Sequence, residues 1–395
     1  MDSATPPAAA DFRQVMVGLG LAMLLSALDQ TIVVTAMPTI GVELGDPQNL
    51  PSIVTAYLVA STIVTPLYGK FADVYGRRHV LITALSVFIV GSVFCALAPT
   101  IGALAGARFF QGLGGGGLIA LAQTIIADLV SPLERGRFQA YFAAVFATSS
   151  IAGPVLGGLF AQYCHWSLIF WINLPLGAAA LLITNARLKR LPERRHPHHI
   201  DYLGALLLVF ASGALVLALG WGGGRYPWAS PPILALMTTS LLFWGLFAWR
   251  THVFDEPLIP TRILGLPIVR NATLSSTFAL GSFVALSVVM PIYFEASTGL
   301  NAKDSGLALI PMMIATVFGA FVSGRLMSRL SHYKIVPLIG LGLGALASTS
   351  GSVLVVEAMA ASYRQIFLAL AASTGLSFLF LIRMEELPLR GRRPD

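Results

Sequence analysis

Charge is the scarcest property of this 395-residue sequence. Asp, Glu, Lys and Arg together make up only 11% of it, whereas hydrophobic residues make up 56%. Soluble domains carry about 25% charged residues, and a chain with so little charge cannot cover a surface that faces water. The composition therefore excludes an ordinary soluble globular protein.

Cysteine is almost as scarce, since Cys95 and Cys164 are the only two in the sequence. Two isolated cysteines exclude a disulfide framework and a cysteine-ligated metal site. The sequence also lacks intramembrane His/Asp clusters, Ser/His pairs and metal-binding sets, so we expect neither enzymatic activity nor a cofactor. The ten-residue alternation of a transmembrane β-barrel is missing as well.

The sequence does contain a series of apolar blocks of about 20 residues, the length that an α-helix needs to cross a hydrocarbon core of roughly 30 Å. In lipid, each block must satisfy its own backbone hydrogen bonds, which makes helix the expected conformation. We therefore predict an all-α polytopic membrane protein. The predicted transmembrane helices, about 12 in number, are 14–38, 51–70, 79–98, 102–128, 138–160, 168–187, 203–221, 231–250, 272–294, 305–327, 335–356 and 365–382.

Basic residues are distributed very unevenly over the connections between these spans. Of the 25 lysines and arginines, 21 lie in the N-terminus, the loops after even-numbered spans and the tail. The opposite side has only Arg225, Lys303 and Arg364, and Arg108 lies inside the fourth span. This is the positive-inside pattern, so we predict that both termini are cytoplasmic. The net charge of +7 then reflects topology, and no nucleic-acid partner is expected.

Two charged residues, Asp29 and Arg108, fall within the predicted hydrocarbon region, where charges are costly and commonly functional. At about 1.5 Å per residue, both lie roughly 10–15 Å below the outer surface, close enough in depth to interact if their helices are neighbours. Burial disfavours the charged carboxylate and a guanidinium favours it, so Asp29 is predicted to take and release a proton beside the fixed charge of Arg108. The alternative is a static buried pair that holds two helices together.

Two further patterns admit a functional and a structural interpretation. Residues 112–117 satisfy the G-x-G-x-x-G fingerprint of dinucleotide sites, but they lie inside an apolar helix without the preceding strand that the fingerprint needs. Close helix packing through small residues is the interpretation we favour. His196, His198 and His199 form a small cluster in the longest basic loop, where a hydrated linker is favoured over metal binding.

Four stretches of the sequence together resemble the drug:proton antiporters of the major facilitator superfamily. Residues 69–78 read G-K-F-A-D-V-Y-G-R-R and resemble motif A, and residues 108–114 resemble the R-x-x-Q-G-x-G of motif B. Residues 153–158 read G-P-V-L-G-G and resemble motif C, the antiporter motif. Residues 28–38 are similar to the L-D-x-T…A-x-P stretch of these antiporters. The closest resemblance is to the EmrB/QacA-type branch, which has fourteen spans.

The resemblance implies roles for individual residues. A cytoplasmic gate would comprise the motif A residues Gly69, Asp73, Gly76, Arg77 and Arg78 together with Asp128. Within it, Asp73 and Arg77 would belong to a charge network that steadies the outward-facing state, with Asp128 as its acidic partner. In the antiporter motif, Gly153 and Pro154 would bend span 5, because proline removes a helix hydrogen bond. Gly157 and Gly158 would let another helix approach closely, although a packing kink without a transport role is the alternative. Polar groups of the substrate cavity would be Gln30, Gln111, Gln123 and Thr124.

The sequence departs from the family pattern at two places. Ser167 stands where the family pattern often has an arginine, which puts one outer-face contact in doubt. If spans 7 and 8 are the extra linker helices of the fourteen-span branch, the second repeat is short by two helices, with the gap near residues 347–357. An ordinary arrangement of six plus six spans is the rival count, and we favour the deletion.

The predicted domain organisation follows from that choice. It comprises a cytoplasmic N-terminus (1–13), a six-helix bundle (14–187), a cytoplasmic linker (188–202), two linker helices (203–250), a C-terminal bundle (251–383) that the deletion would leave incomplete, and a cytoplasmic tail (384–395).

The function implied by the resemblance is secondary active export of lipophilic or amphipathic small molecules in exchange for protons, by alternating access. The expected partners are that substrate, protons and the lipid bilayer of the bacterial inner membrane, and a monomer is expected. Uptake by symport is a rival that Gly153 and Pro154 argue against. A transport-incompetent remnant or receptor-like protein with an incomplete second bundle is the alternative from a different class.

Overall fold

The structure is a computed structural model, and it describes residues 9–46, 49–130, 132–189, 201–254, 256–259, 261–298, 308, 310–327, 334–354 and 361–385. Over these residues the regular structure is helical. The helices are α1 (Ala9–Glu43), α2 (Pro51–Tyr75), α3 (Arg77–Ala96), α4 (Ile101–Leu129), α5 (Pro132–Tyr163), α6 (Leu168–Trp171), α7 (Asn173–Leu188), α8 (Tyr202–Trp221), α9 (Pro231–Val253), α10 (Thr261–Leu264), α11 (Pro267–Thr298), α12 (Ile310–Met327), α13 (Ile335–Leu354) and α14 (Ala361–Arg383).

The predicted all-α membrane fold is confirmed, because a helix lies over each of the twelve predicted spans. Nine helical segments in the described part of the chain are long and apolar enough to cross a bilayer. Several helices exceed the predicted spans. Helix α1, for example, has 35 residues and is about 50 Å long, which is more than the hydrocarbon core requires.

The sixth span differs from the prediction of one continuous helix, since it is divided at Ile172 into α6 and α7. Pro175 explains the division. A proline has no N–H to donate to the carbonyl four residues before it, and that residue is Trp171, the last of α6. The division places Asn173 at the first position of α7.

The chain forms two compact units, the first comprising residues 1–129 and 145–260 and the second residues 130–144 and 261–395. In the first unit, α4 packs against α2 and α3, α1 packs against α7, and α8 packs against both α2 and α9. The predicted domain boundaries, including the separation of two linker helices, stay a prediction.

Glycines of α4 allow close helix contacts in the first unit. A Cβ added at Gly114 would collide with the backbone of Phe88 in α3, and one at Gly116 would collide with the backbone of Ser61 in α2. The expectation of close packing through the small residues of 112–117 is thus confirmed, and these glycines lie within one helix.

In the second unit, α11 and α14 pack antiparallel through paired serines. The hydroxyl oxygens of Ser275 and Ser377 lie 3.1 Å apart, and the Ser282 hydroxyl donates to that of Ser373 over 2.8 Å. Helix α13 packs mainly against α14 and also contacts α12. Hydroxyl pairs of this kind satisfy polar groups between helices in a medium that offers no water.

Candidate functional site

A buried ion pair joins α1 to α4 in the first unit. Nη1 of Arg108 lies 2.5 Å from Oδ2 of Asp29, and the side chains are 2% and 0% exposed. The structure therefore brings together the two charges that the sequence placed at a similar depth. The rest of the site is built around this pair.

Two amide side chains complete the surroundings of the Asp29 carboxylate. Nε2 of Gln111 and Nδ2 of Asn173 both donate to Oδ1 of Asp29, each over 2.9 Å. The carboxylate thus accepts three hydrogen bonds, one of them from a cation. The three side chains that bond to the carboxylate are therefore all donors.

The hydroxyl of Ser92, on α3, links the two amides. It accepts from Gln111 over 2.8 Å and from Asn173 over 3.3 Å, and it donates to the carbonyl of Phe88 over 3.0 Å. Ser92, Gln111 and Asn173 are all fully buried. A polar cluster from α1, α3, α4 and α7 therefore lies where the first unit is otherwise apolar, and such clusters hold a precise geometry.

Aromatic rings enclose the guanidinium of Arg108. Its central carbon lies 4.2 Å from the ring centroid of Tyr57 and 5.8 Å from that of Phe170. The face of an aromatic ring attracts a desolvated cation. Of the buried polar atoms in the described residues around the pair, Nε of Arg108 and Oδ1 of Asn173 have no hydrogen-bond partner.

Gly91 explains how α3 and α4 come close enough to form the cluster. A Cβ at this position would lie 2.5 Å from Cα of Gln111. Only a glycine lets the two backbones meet there. The contact holds Gln111 beside Ser92, which follows Gly91 in the sequence.

Helix α5 packs on α1 close to Asp29, and two glycines make this contact possible. A Cβ at Gly153 would collide with the side chain of Thr31, and one at Gly157 would collide with Thr35 and the carbonyl of Ile32. The hydroxyl of Thr31 also donates to the carbonyl of Ser149 over 3.0 Å. A glycine face on α5 therefore follows the part of α1 that carries the carboxylate.

A second charged cluster lies at the ends of α2, α3 and α4, on the side predicted to be cytoplasmic. Arg77 contacts Asp73 over 2.8 Å and Asp128 over 3.0 Å. Gly76 has a φ of 90° and makes the sharp connection between α2 and α3, where a side chain would be strained. The structure thus brings together the predicted acidic partners of Arg77.

A comparison with known protein families identifies the chain. The profile of the Major Facilitator Superfamily matches residues 19–388. The chain belongs to the major facilitator superfamily. Its members are transporters, which agrees with the nine apolar helical segments counted over the described residues.

Three curated relatives are informative. An uncharacterized MFS-type transporter of Mycobacterium tuberculosis is 35% identical over 84% of this chain and 48% of its own length. Multidrug resistance protein 3 of Bacillus subtilis is 35% identical over 88% of this chain and 68% of its own. The MFS-type efflux pump LUC4 of a Fusarium species is 33% identical over 87% and 62%. The chain thus spans about half to two thirds of the length of these relatives.

The fold also matches that of a solved superfamily structure, the proton:xylose symporter XylE. The TM-score is 0.58, with 15% sequence identity, and the match covers 97% of this chain and 84% of the other. At this identity the likeness supports the superfamily fold alone.

The four residues predicted to line the substrate cavity differ in how far they are buried. Gln30 and Gln123 are exposed, Thr124 is half-buried, and Gln111 is buried within the cluster around Asp29.

Gly158, which was expected to share the close helix contact of Gly157, has no atom within 4 Å of an added Cβ. The reason is its position outside the i, i+4 face of α5 that Gly153 and Gly157 form.

Further residues named in the sequence analysis can also be placed in the first unit. Gly69 has open space around it, and Pro154 lies within an uninterrupted α5. Ser167 contacts Nδ1 of His165 through its hydroxyl over 2.8 Å. The histidines at 196, 198 and 199 lie outside the described residues.

Sequence reasoning missed Asn173, Ser92, Tyr57 and Asn185 as parts of these clusters. Asn185 accepts from Arg78 over 2.6 Å, which links α7 to α3. Neutral polar residues in apolar spans lack the strong signal of an intramembrane charge. Asn173 lies six residues after Ser167, in the region compared with the family pattern, and that proximity was the available hint.

Proposed function

We propose that this member of the major facilitator superfamily exports lipophilic or amphipathic small molecules in exchange for protons, and that Asp29 is the proton-carrying group. The observation that carries the proposal is the fully buried contact between Asp29 and Arg108. An ionisable pair in a membrane span is costly, and function is the usual reason for its presence.

The arrangement suits a group that exchanges a proton. Asp29 is the carboxylate of the buried cluster, and Arg108 keeps its charge at any physiological pH. When a proton binds Asp29, the ion pair is lost and Arg108 becomes an unpaired buried cation, which is unfavourable. Protonation therefore changes the relative stability of conformations that bury this pair, and a change of that kind can drive a transport cycle.

Names of relatives support export and the substrate class. The Bacillus relative is named a multidrug resistance protein and the Fusarium relative an efflux pump. We infer from these names and from residues 28–38 and 153–158 that the chain is a drug:proton antiporter of the EmrB/QacA type. We further propose that it works by alternating access in a bacterial inner membrane.

Transport driven by a proton gradient tests the proposal. The protein is reconstituted into liposomes with an acidic lumen, and a permanently charged, fluorescent lipophilic cation is added outside. Such a cation does not distribute passively with pH. Molecules oriented with their cytoplasmic side outward should accumulate the cation, and Asp29→Asn should reduce accumulation to the level of protein-free liposomes.

A matched carboxylate serves as the control. Asp46 follows α1 and accepts a hydrogen bond from Asn49 over 2.8 Å, so Asp46→Asn makes the same chemical change outside the buried cluster. It should leave accumulation unchanged. If the wild-type protein binds the cation but moves it under neither direction of the gradient, the proposal is wrong and a transport-incompetent protein is the better account.

A further inference from the structure

The two side-chain amides that contact Asp29 differ in the hydrogen bonds that their oxygen atoms accept. Oε1 of Gln111 accepts from Nη1 of Arg108 over 2.6 Å and lies 3.4 Å from the thiol of Cys95. Oδ1 of Asn173 is buried and has no hydrogen-bond partner. A buried acceptor left unpaired is unfavourable and calls for an explanation.

This difference determines which of the two amides can rotate by 180°. Rotation of the Gln111 amide by 180° would point its NH₂ group at the Arg108 guanidinium, which has only donors. Rotation of the Asn173 amide breaks no bond to its oxygen. Gln111 is therefore fixed in orientation, whereas Asn173 is held through its nitrogen alone.

A protonated Asp29 requires an acceptor that the present arrangement does not offer. All three groups bonded to the carboxylate, from Arg108, Gln111 and Asn173, are donors. A carboxylic acid carries an O–H that must donate. The cluster does hold an unused acceptor, Oδ1 of Asn173, on the same amide that now donates to Asp29.

We propose that Asn173 is the positioning residue for protonation of Asp29, and that its side-chain amide rotates by 180° when the proton binds. This inference rests on the proposed function, since it concerns the same proton site. The proton binds Oδ1 of Asp29, the bond from Nδ2 of Asn173 to that oxygen is lost, and a bond from the new O–H to Oδ1 of Asn173 forms. The Ser92 hydroxyl then donates to the oxygen of the rotated amide instead of accepting from its nitrogen, and in doing so it gives up its hydrogen bond to the carbonyl of Phe88. On release of the proton, each bond reverses.

Titratable side chains from α2, α3 and α4 also face this site. Arg108 of α4 stays charged, and Tyr57 of α2 stacks on its guanidinium. Cys95 of α3 faces Gln111. On α7 the group that contacts Asp29 is Asn173, which does not titrate and which responds through its orientation.

Infrared difference spectroscopy on the full chain in lipid nanodiscs tests the proposal. The protein is prepared with asparagine carrying ¹³C at the side-chain carbonyl, and spectra are recorded at high and low pH. The sequence has five asparagines. Asn173→Gln identifies the Asn173 band by removing its label while keeping an amide, and Asn185→Gln, on the same helix, is the matched control.

The expected result is a protonated carboxyl band that is absent from Asp29→Asn, together with a shift of the Asn173 carbonyl band to lower frequency. The shift arises because the carbonyl gains a hydrogen bond. It should persist in Asn185→Gln and disappear in Asp29→Asn. A role of Asn173 in packing alone would not produce a band shift that depends on Asp29.

Two other outcomes are distinguishable. If the Asp29 carboxyl band appears while the Asn173 band stays in place, the present inference is wrong and the proposed function stands. If Asp29 shows no protonated band over the pH range at which transport occurs, the proton-carrying role of Asp29 fails, and this inference fails with it.

Discussion

At the residue scale, the structure places a fully buried ion pair in the first unit and surrounds it with neutral polar groups. Arg108 and Asp29 were predictable from the sequence because a charge in an apolar block is conspicuous. Gln111, Ser92 and Asn173 were not predictable as partners, because neutral polar residues occur widely in membrane helices. Their roles depend on helix rotations and on contacts such as that of Gly91, which sequence spacing does not specify.

Arg108→Lys should impair transport although the charge is retained. The planar guanidinium stacks on Tyr57 and reaches both Asp29 and Gln111. A lysine side chain is shorter, and its ammonium group is more strongly hydrated. We expect a loss of proton-driven accumulation of about tenfold or more, corresponding to one charged hydrogen bond.

Arg225→Lys provides the control for this substitution. Arg225 also lies over aromatic rings, those of Trp221 and Tyr226, but in the connection between α8 and α9. Its replacement should leave accumulation near the wild-type rate. Equal activity of the Arg108→Lys and wild-type proteins would show that the planar group is not required.

At the element scale, the decisive feature is the glycine face of α5 against α1. Residues 153–158 were singled out by their resemblance to motif C, and the structure explains two of their glycines by the contacts at Thr31, Ile32 and Thr35. The sequence did not reveal which of the consecutive glycines Gly157 and Gly158 makes contact, because that depends on the rotation of α5. The interruption between α6 and α7 was likewise unforeseen, although Pro175 accounts for it.

Alanine at Gly153 or Gly157 should destabilise the protein, whereas alanine at Gly158 should not. A Cβ at the first two positions collides with α1, and at Gly158 it meets open space. Overpacking of this kind costs about 1–3 kcal/mol, and replacing a helical glycine otherwise stabilises slightly. Thermal unfolding of the purified variants in lipid measures the difference. Equal melting temperatures for Gly157→Ala and Gly158→Ala would contradict the packing described for α5.

At the whole-molecule scale, composition and the twelve apolar blocks predicted the helical membrane fold, which the structure and the superfamily match confirm. The orientation in the membrane is still a prediction from the basic residues. Domain boundaries also stay predictions, because hydropathy locates helices along the chain but does not specify which helices pack together.

Labelling of a native cysteine tests the predicted orientation. Cys164 is exposed after α5, on the predicted outer side, and Cys95 is buried. A membrane-impermeant thiol reagent should modify Cys164 in intact cells and leave Cys95 unmodified. In a Cys164→Ser background, Lys189→Cys should react only after the cells are permeabilised. The reverse pattern would place both termini outside.

The central claim is that one molecule moves substrate and protons in opposite directions through Asp29. The most direct measurement imposes a substrate gradient without a pH gradient and follows luminal pH with a trapped dye in proteoliposomes. The account predicts that outward substrate flow acidifies the lumen in the wild-type protein and not in Asp29→Asn. Substrate flow in the wild-type protein without proton movement, or with protons moving in the same direction as the substrate, would contradict it.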